Sequence, residues 1–399
     1  MNRNIAFIHE DFPMGGAETI TAEIGRYMAL QNDQIWVFTR LLHNEQLTEE
    51  LKHYLHFIVL PDKRSIQSEK NAQFIAQEIQ KRKIGFFILP SLYLKRLHYI
   101  KEHTSCKIIF ALHVTPFWEI ENRLIVARER KKRSLGLWLE WIFLRYPKIV
   151  WGHSIEKDVI RKYKETLSIC DAYVVLCQEY GESIRKKLSL TESSPQITVI
   201  PNPVQAPDKV ITKKKKQILY VGRLSYADKR VDRLIDIWGK ISSEYPDWEA
   251  IIVGDGPEME KLREQSSSYP NARITFKGYQ SDVTPYYKDA AILCLTSTSE
   301  AWGLTLTQAQ ANGVAPIAFG CSAGVRSVLS PSGKYGIVVE PYNMKEFSSQ
   351  LRKLIENDLQ REEIQQAVIE KSRNYMLETI GKKWEELFDS IAGNPTKSE

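Results

Sequence analysis

A chain of 399 residues with 43% apolar and 26% charged side chains can bury a sizeable core, which excludes bulk disorder, and its length predicts two α/β domains. A net charge of +6 is too mild to point to nucleic acid as a partner. Its five cysteines form no CxxC pair, which argues against a disulfide framework or zinc site and for a reducing compartment. The start, MNRNIAFIHEDF, has no apolar leader, and no uncharged run reaches the roughly 20 residues of a membrane span, so a cytoplasmic protein is expected.

In chain order, short apolar runs alternate with segments of helical period, the pattern of parallel βαβ units. Strands are predicted at Asn4–Glu10, Ile35–Arg40, Phe57–Leu60, Ile84–Pro90, Lys107–His113 and Tyr173–Cys177, with a helix at Asn71–Lys81. The stretch IPNPVQAPDKVITKKKK then joins prolines to a lysine run and reads as a solvated linker. Beyond it, strands are predicted at Gln217–Gly222, Ala250–Gly254, Ile274–Gly278, Ala291–Thr296, Ala315–Phe319 and Gly336–Val339. ILYVG, IIVG and AILCL are continuous apolar runs, as strands buried on both faces require. Helices are predicted at Val231–Ile241 and Met259–Gln265. The expected fold is α/β, two doubly wound Rossmann-like domains facing a cleft. They span 1–203 and 217–375, with a linker at 204–216 and a C-terminal helix, 376–399, packing back on the first. In such sheets ligands sit at the carboxyl ends of strands.

Several strand ends carry chemistry. Gly15 and Gly16 lie between the first strand and a helix, where glycines let backbone N–H groups approach an anion; a plain turn has equal claim. After VG, Arg223 and Lys229 precede the next helix and can clamp a diphosphate, or form only a solvated basic turn. Gly254 to Pro257 make a tight strand-to-helix turn, and Gly278–Tyr279 offer a backbone edge and an aromatic face to a nucleobase. The most specific stretch is LTSTSEAWGLTLTQAQANGVAPIAF. There Glu300 ends a strand, Gly303 and Leu304 open a helix, and Gln308 stands on its first turns.

Taken in order, GGAE, VIPNPV, VGRL with a following lysine, VGDGPE, FKGY and SEAWGL…QAQANGVAPIAF resemble the retaining GT-B glycosyltransferases of bacterial polysaccharide and lipid-linked glycan assembly (glycosyl transferases group 1, glycosyltransferase family 4). The resemblance spans nearly the whole chain. It implies that Arg223 and Lys229 bind the donor diphosphate, with N–H groups at Gly16 and near Leu304. It implies that Glu300 binds hydroxyls of the transferred sugar, that Gln308 stands where a glutamate grips the ribose, and that Tyr279 lies against the base. His113, in IIFALHVTPFWE, matches the histidine placed beside the donor sugar. The chain departs at Gln308, at Ala301 after Glu300, and in an Arg223–Lys229 spacing one residue longer than usual.

The resemblance therefore implies a hexosyltransferase, donor UDP-hexose or UDP-N-acetylhexosamine, acceptor a glycan or lipid-linked glycan, with no cofactor. No DxD or HExxH occurs, so the sequence calls for no metal. Residues 128–146 join basic residues to an aromatic-rich run, suited to peripheral contact with an anionic membrane or to a core helix. A nucleotide-sugar epimerase is the enzymatic alternative. A donor-site-weakened, non-catalytic partner of a glycan-assembly complex is the other.

Overall fold

The computed structural model describes residues 2–13, 15–123, 153–191 and 196–393. The candidate membrane segment at 128–146 lies outside them. The chain divides into two compact units, Met1–Ile200 with Lys383–Glu399, and Pro201–Lys382. The linker at 204–216 thus belongs to the second unit, and the C-terminal helix, Leu377–Ala392, is shared at Lys382/Lys383.

The first unit is built on seven parallel strands. They are β1 (Asn4–Phe12), β2 (Gln34–Leu42), β3 (Leu55–Val59), β4 (Phe86–Pro90), β5 (Lys107–Leu112), β6 (Ala172–Val175) and β7 (Gln196–Val199). Their order is β3-β2-β1-β4-β5-β6-β7. Phe7, Phe38, Phe87 and Phe110 stack the core of this sheet, each at most 2% exposed. The end of the C-terminal helix closes one face, with Phe388 packed on Phe86 at 4.5 Å between ring centres and Arg3 ion-paired to Glu385.

The second unit carries six parallel strands: β8 (Lys215–Val221), β9 (Glu249–Val253), β10 (Ile274–Gly278), β11 (Ala290–Leu295), β12 (Ala315–Phe319) and β13 (Ile337–Val339). They run in the order β10-β9-β8-β11-β12-β13. The helix Val231–Ile241 lays Leu234, Ile235, Trp238 and Ile241 against this sheet, and the buried Trp238 indole donates to the Ala272 carbonyl. Burying each of these side chains contributes roughly 1.5–3 kcal/mol. In both sheets the strand order reverses direction once, between β1 and β4 and between β8 and β11. Each such switch point opens a crevice at the strands' carboxyl ends.

Two expectations need correction. The short strand β7, QITV, was not foreseen. The linker is not simply solvated: Pro201 to Val204 are buried, Val204 pairs with Met376, and β8 begins at Lys215. Lys214 donates to the carbonyls of Tyr287, Lys288 and Asn312 at 3.1, 3.0 and 2.7 Å. These carbonyls close two helices, Thr284–Asp289 and Leu304–Ala311, whose C-terminal ends attract a cation. Burial pulls the Lys214 ammonium down to about 8. Among the described residues, no helix is long and apolar enough to cross a membrane.

Candidate functional site

In the first unit, β1 feeds an exposed glycine turn and the helix Gly16–Leu30, whose N-terminus no side chain caps. Gly15 adopts φ +141°, a conformation side chains rarely take. The turn offers a carboxylate as well as backbone: a Cβ on Gly15 would stand 2.9 Å from Glu18 Oε2. Glu18 Oε1 lies 3.3 Å from Nδ1 of the buried His9, whose Nε2 lies 2.9 Å from Thr21 Oγ1. Burial pushes the Glu18 carboxyl up, but the His9 hydrogen bond, a hydrogen bond from its own backbone N–H and the neighbouring His9 and His113 outweigh it and hold the group below its ordinary range. His113 follows β5, half-buried, and its N–H donates to Ser91 Oγ at 2.7 Å, just beyond β4.

In the second unit, the loops after β8 and β11 meet at the switch point. Lys229 Nζ donates to Glu300 Oε1 at 2.6 Å, and Ser297 Oγ donates to the same oxygen at 2.9 Å. The two charged side chains are only 23% and 11% exposed. The β8 loop is fastened to the β11 loop by main chain: the Thr298 N–H donates to the Asp228 carbonyl at 2.7 Å, and Thr296 Oγ1 to that of Arg230 at 2.9 Å. Arg223, 65% exposed, pairs with Asp228 at 3.1 Å, so its guanidinium is anchored yet reachable. The Asp228 carboxyl is raised by burial but lowered more by the adjacent Ser225 hydroxyl and the charges of Lys229 and Arg223; it lies below its ordinary range. Asp228 is the residue within the lengthened Arg223–Lys229 spacing that binds one cation and adjoins the other.

Glycines let the neighbouring turns close. A Cβ on Gly254 would meet the Gly222 carbonyl oxygen at 1.9 Å, and one on Gly256 the Leu224 carbonyl oxygen at 2.1 Å. Gly303 stands at φ +81° before the helix Leu304–Ala311, and no side chain caps that start. On this helix the Gln308 amide oxygen accepts from the hydroxyl of buried Tyr287 at 3.0 Å, so the side chain presents its NH₂ outward from that bond. Tyr279 follows the edge strand β10 and is 76% exposed, an open ring rather than a packed one.

The structure thus joins Lys229 to Glu300 and ties Arg223 to the same loop. It places Gly254, Gly303, Leu304 and Gln308 at the same strand-end side of the second sheet, and Gly15, Gly16 and His113 in the first unit. Sequence reasoning missed Asp228, Ser297, Tyr287 and His9. Glu18 was visible as the last letter of GGAE.

Comparison with known proteins fits this arrangement. The whole chain has the GT-B fold. It superposes on the lipopolysaccharide outer core galactosyltransferase WaaB with TM-score 0.68 at 19% identity, covering 97% of this chain and 99% of that one. It superposes on Anabaena HepE in complex with UDP with TM-score 0.71 at 16% identity, covering 97% and 100%. Residues 203–374 match the family Glycosyl transferases group 1, so the chain carries a domain of that family. It is 31% identical to the amylovoran biosynthesis glycosyltransferase AmsD of Erwinia amylovora over 46% of this chain and 50% of that protein. It is 27% identical to a lipopolysaccharide 1,6-galactosyltransferase of Salmonella typhimurium over 68% and 78%. The chain spans about half the length of the first curated relatives it matches.

Proposed function

We propose that this chain is a glycosyltransferase of surface-polysaccharide assembly. It transfers a hexosyl or N-acetylhexosaminyl group from a UDP-sugar to a glycan acceptor, with retention and without need of a metal. The observation that carries this reading is the Lys229–Glu300 pair at the β8/β11 switch point, with Arg223 on the same loop. As the bond from anomeric carbon to diphosphate oxygen breaks, negative charge gathers on the diphosphate. Lys229 and Arg223 supply fixed positive charge there, which stabilises departure. Glu300 accepts hydrogen bonds from hydroxyls of the transferred sugar while Lys229 and Ser297 donate to its Oε1. Gln308 donates its NH₂ to the ribose, Tyr279 stacks on the base, and His113 contacts the donor sugar. The acceptor hydroxyl oxygen forms the new bond on the face the diphosphate leaves, and its proton passes to a diphosphate oxygen.

UDP in the HepE structure and the galactosyltransferase names of two relatives support a UDP-sugar donor. The acceptor's lipid linkage and any membrane contact belong to the same proposal. The test is a panel of UDP-hexoses and UDP-N-acetylhexosamines, scored by UDP release and by NMR of the product's anomeric configuration. One donor consumed with retention is expected. Release with inversion would overturn the mechanism, and no consumption of any donor would favour the non-catalytic partner.

A further inference from the structure

The first unit holds a cavity that the donor chemistry above does not use. It has a volume of about 840 Å³ and lies between the loop after β4, the helix Leu97–His103 and the helix Ser154–Ile169. We propose that this cavity binds a sugar residue bearing a carboxylate or a phosphate, with Lys162 as the anchoring cation and Lys95 assisting. Calling that sugar part of the acceptor glycan rests on the glycosyltransferase reading; the binding site itself does not.

The wall is built before any ligand arrives. Gln67 Nε2 donates to the Tyr93 carbonyl at 2.8 Å, and Gln67 Oε1 accepts from the Lys95 N–H at 2.8 Å, so the loop is pinned at two points. The Tyr93 ring packs on Phe110 of β5 at 4.5 Å between centres, and its hydroxyl lies 3.5 Å from that of buried Tyr173. Lys162 Nζ stands 3.7 Å from the centre of the Tyr93 ring, which fixes where the ammonium sits. Apolar Leu94, Leu97 and Ile169 line the cavity beside polar Gln67, Ser91 and Thr166. A preformed space of this size and mixed lining suits a sugar residue with its substituents.

The charges name the substituent. Asp158 is already engaged: Oδ2 accepts from Arg123 at 2.5 Å and Oδ1 from Arg161 at 2.7 Å, and Arg161 also holds Glu165 at 3.0 Å. Lys162 has no such close partner. Its carboxylate neighbour, Glu119 Oε1, stands 3.6 Å away, too long for a good hydrogen bond. Burial pulls the Lys162 ammonium below its ordinary range, and Glu119 offsets that only in part. The side chain is 34% exposed and lines the cavity, so its unused donors are open to a ligand. Lys95 is exposed on the same wall. With Arg123 and Arg161 set against Asp158 and Glu165, these two lysines leave the lining with two cations in excess. A lysine acts as a point charge and takes a carboxylate or a phosphate alike, whereas a neutral sugar would leave the excess unmatched. Ser91, which lines the cavity where β4 ends, accepts the His113 N–H at 2.7 Å. The cavity thus reaches the residue assigned to the donor sugar and runs away from it along Ser154–Ile169, which is why the acidic sugar is assigned to the acceptor.

The test titrates methyl glucuronide, glucose 6-phosphate and neutral methyl glucoside into the full chain by calorimetry, with and without saturating UDP. At least one anionic probe should bind about tenfold or more tighter than methyl glucoside, with an affinity that falls as salt rises and that UDP leaves unchanged. The tighter of the two anions identifies the group as a uronate or a sugar phosphate. Lys162→Met keeps the apolar stem on Tyr93 and removes the charge. It should weaken the preferred anion about 10- to 30-fold, to the level of methyl glucoside, with UDP affinity unchanged. Lys95→Gln, at an exposed position, should weaken it about threefold at the wild-type melting temperature. Equal binding of neutral and anionic probes would overturn the inference, as would an anion affinity unchanged in either variant. Displacement of the anion by UDP would overturn it too, because that places the anion in the donor site. A chain that binds the anion through Lys162 but binds no UDP would instead sink the transferase reading and leave this site standing.

Discussion

Replacing Lys229 with alanine separates the two tasks its ammonium performs. In the resting structure it neutralises Glu300 at 2.6 Å in a setting where the side chains are 23% and 11% exposed. Removing it leaves a mostly buried carboxylate with the Ser297 hydroxyl as its remaining partner among these two, and the expected loss of stability is about 2 kcal/mol. In the reaction, the same ammonium faces charge that develops on the departing diphosphate. Loss of one such group lowers kcat about 100- to 1000-fold, or roughly 3–4 kcal/mol. Urea unfolding reports the first quantity and UDP release the second. A double variant, Lys229→Ala with Glu300→Gln, removes both charges and should recover most of the lost stability, a coupling of about 1–2 kcal/mol, yet recover no turnover. Lys229→Ala with kcat within about threefold of wild type would refute the leaving-group role. Additive stability losses would refute the pairing.

Three other outcomes are expected. Gly254→Ala should cost about 3 kcal/mol or more, seen as a lower urea midpoint or loss of soluble protein, because its Cβ would fall 1.9 Å from the Gly222 oxygen at φ +133°. Gln308→Glu should tighten UDP binding about fivefold by calorimetry: a carboxylate can take the Tyr287 hydroxyl on one oxygen and a ribose hydroxyl on the other through charge-assisted bonds. Asp228, whose folded carboxyl lies below its ordinary range, stabilises the fold while ionised. That contribution is fully present above pH ~4 and lost as the pH falls through the folded value, so the stability gap between wild type and Asp228→Asn should shrink below pH ~4 in acid urea titrations.

Much of the fold was legible because buried parallel strands must be continuous apolar runs. AILCL and APIAF are unmistakable on that ground, and β10 and β12 begin and end where the sequence put them. QITV was not, since a four-residue strand at a sheet edge needs little apolar content. The lysine run misled for a different reason. A cation normally stays in water, and only the carbonyls closing two helices, far away in sequence, draw Lys214 inward. Arg223, Lys229 and Glu300 were each legible as strand-end residues. Their meeting was not a matter of spacing: it depends on β8 and β11 being neighbours in the sheet order. Asp228, Ser297 and Tyr287 carry no motif and acquire their roles only through contacts. His9 reads as one more residue of an apolar strand until the Glu18 and Thr21 side chains are placed around it.

The central claim, that the strand ends around Lys229 and Glu300 receive a nucleotide-diphosphate sugar, is tested most directly by calorimetric titration. Uridine, UMP, UDP and the UDP-sugar panel would be added to wild type and to Arg223→Ala. The account predicts that UDP binds well above UMP and uridine, that one UDP-sugar stands out, and that Arg223→Ala, whose 65% exposed side chain carries little stability, loses most of the UDP-over-UMP preference while still folding. Equal affinity for UMP and UDP, or no nucleotide binding at all, would contradict it.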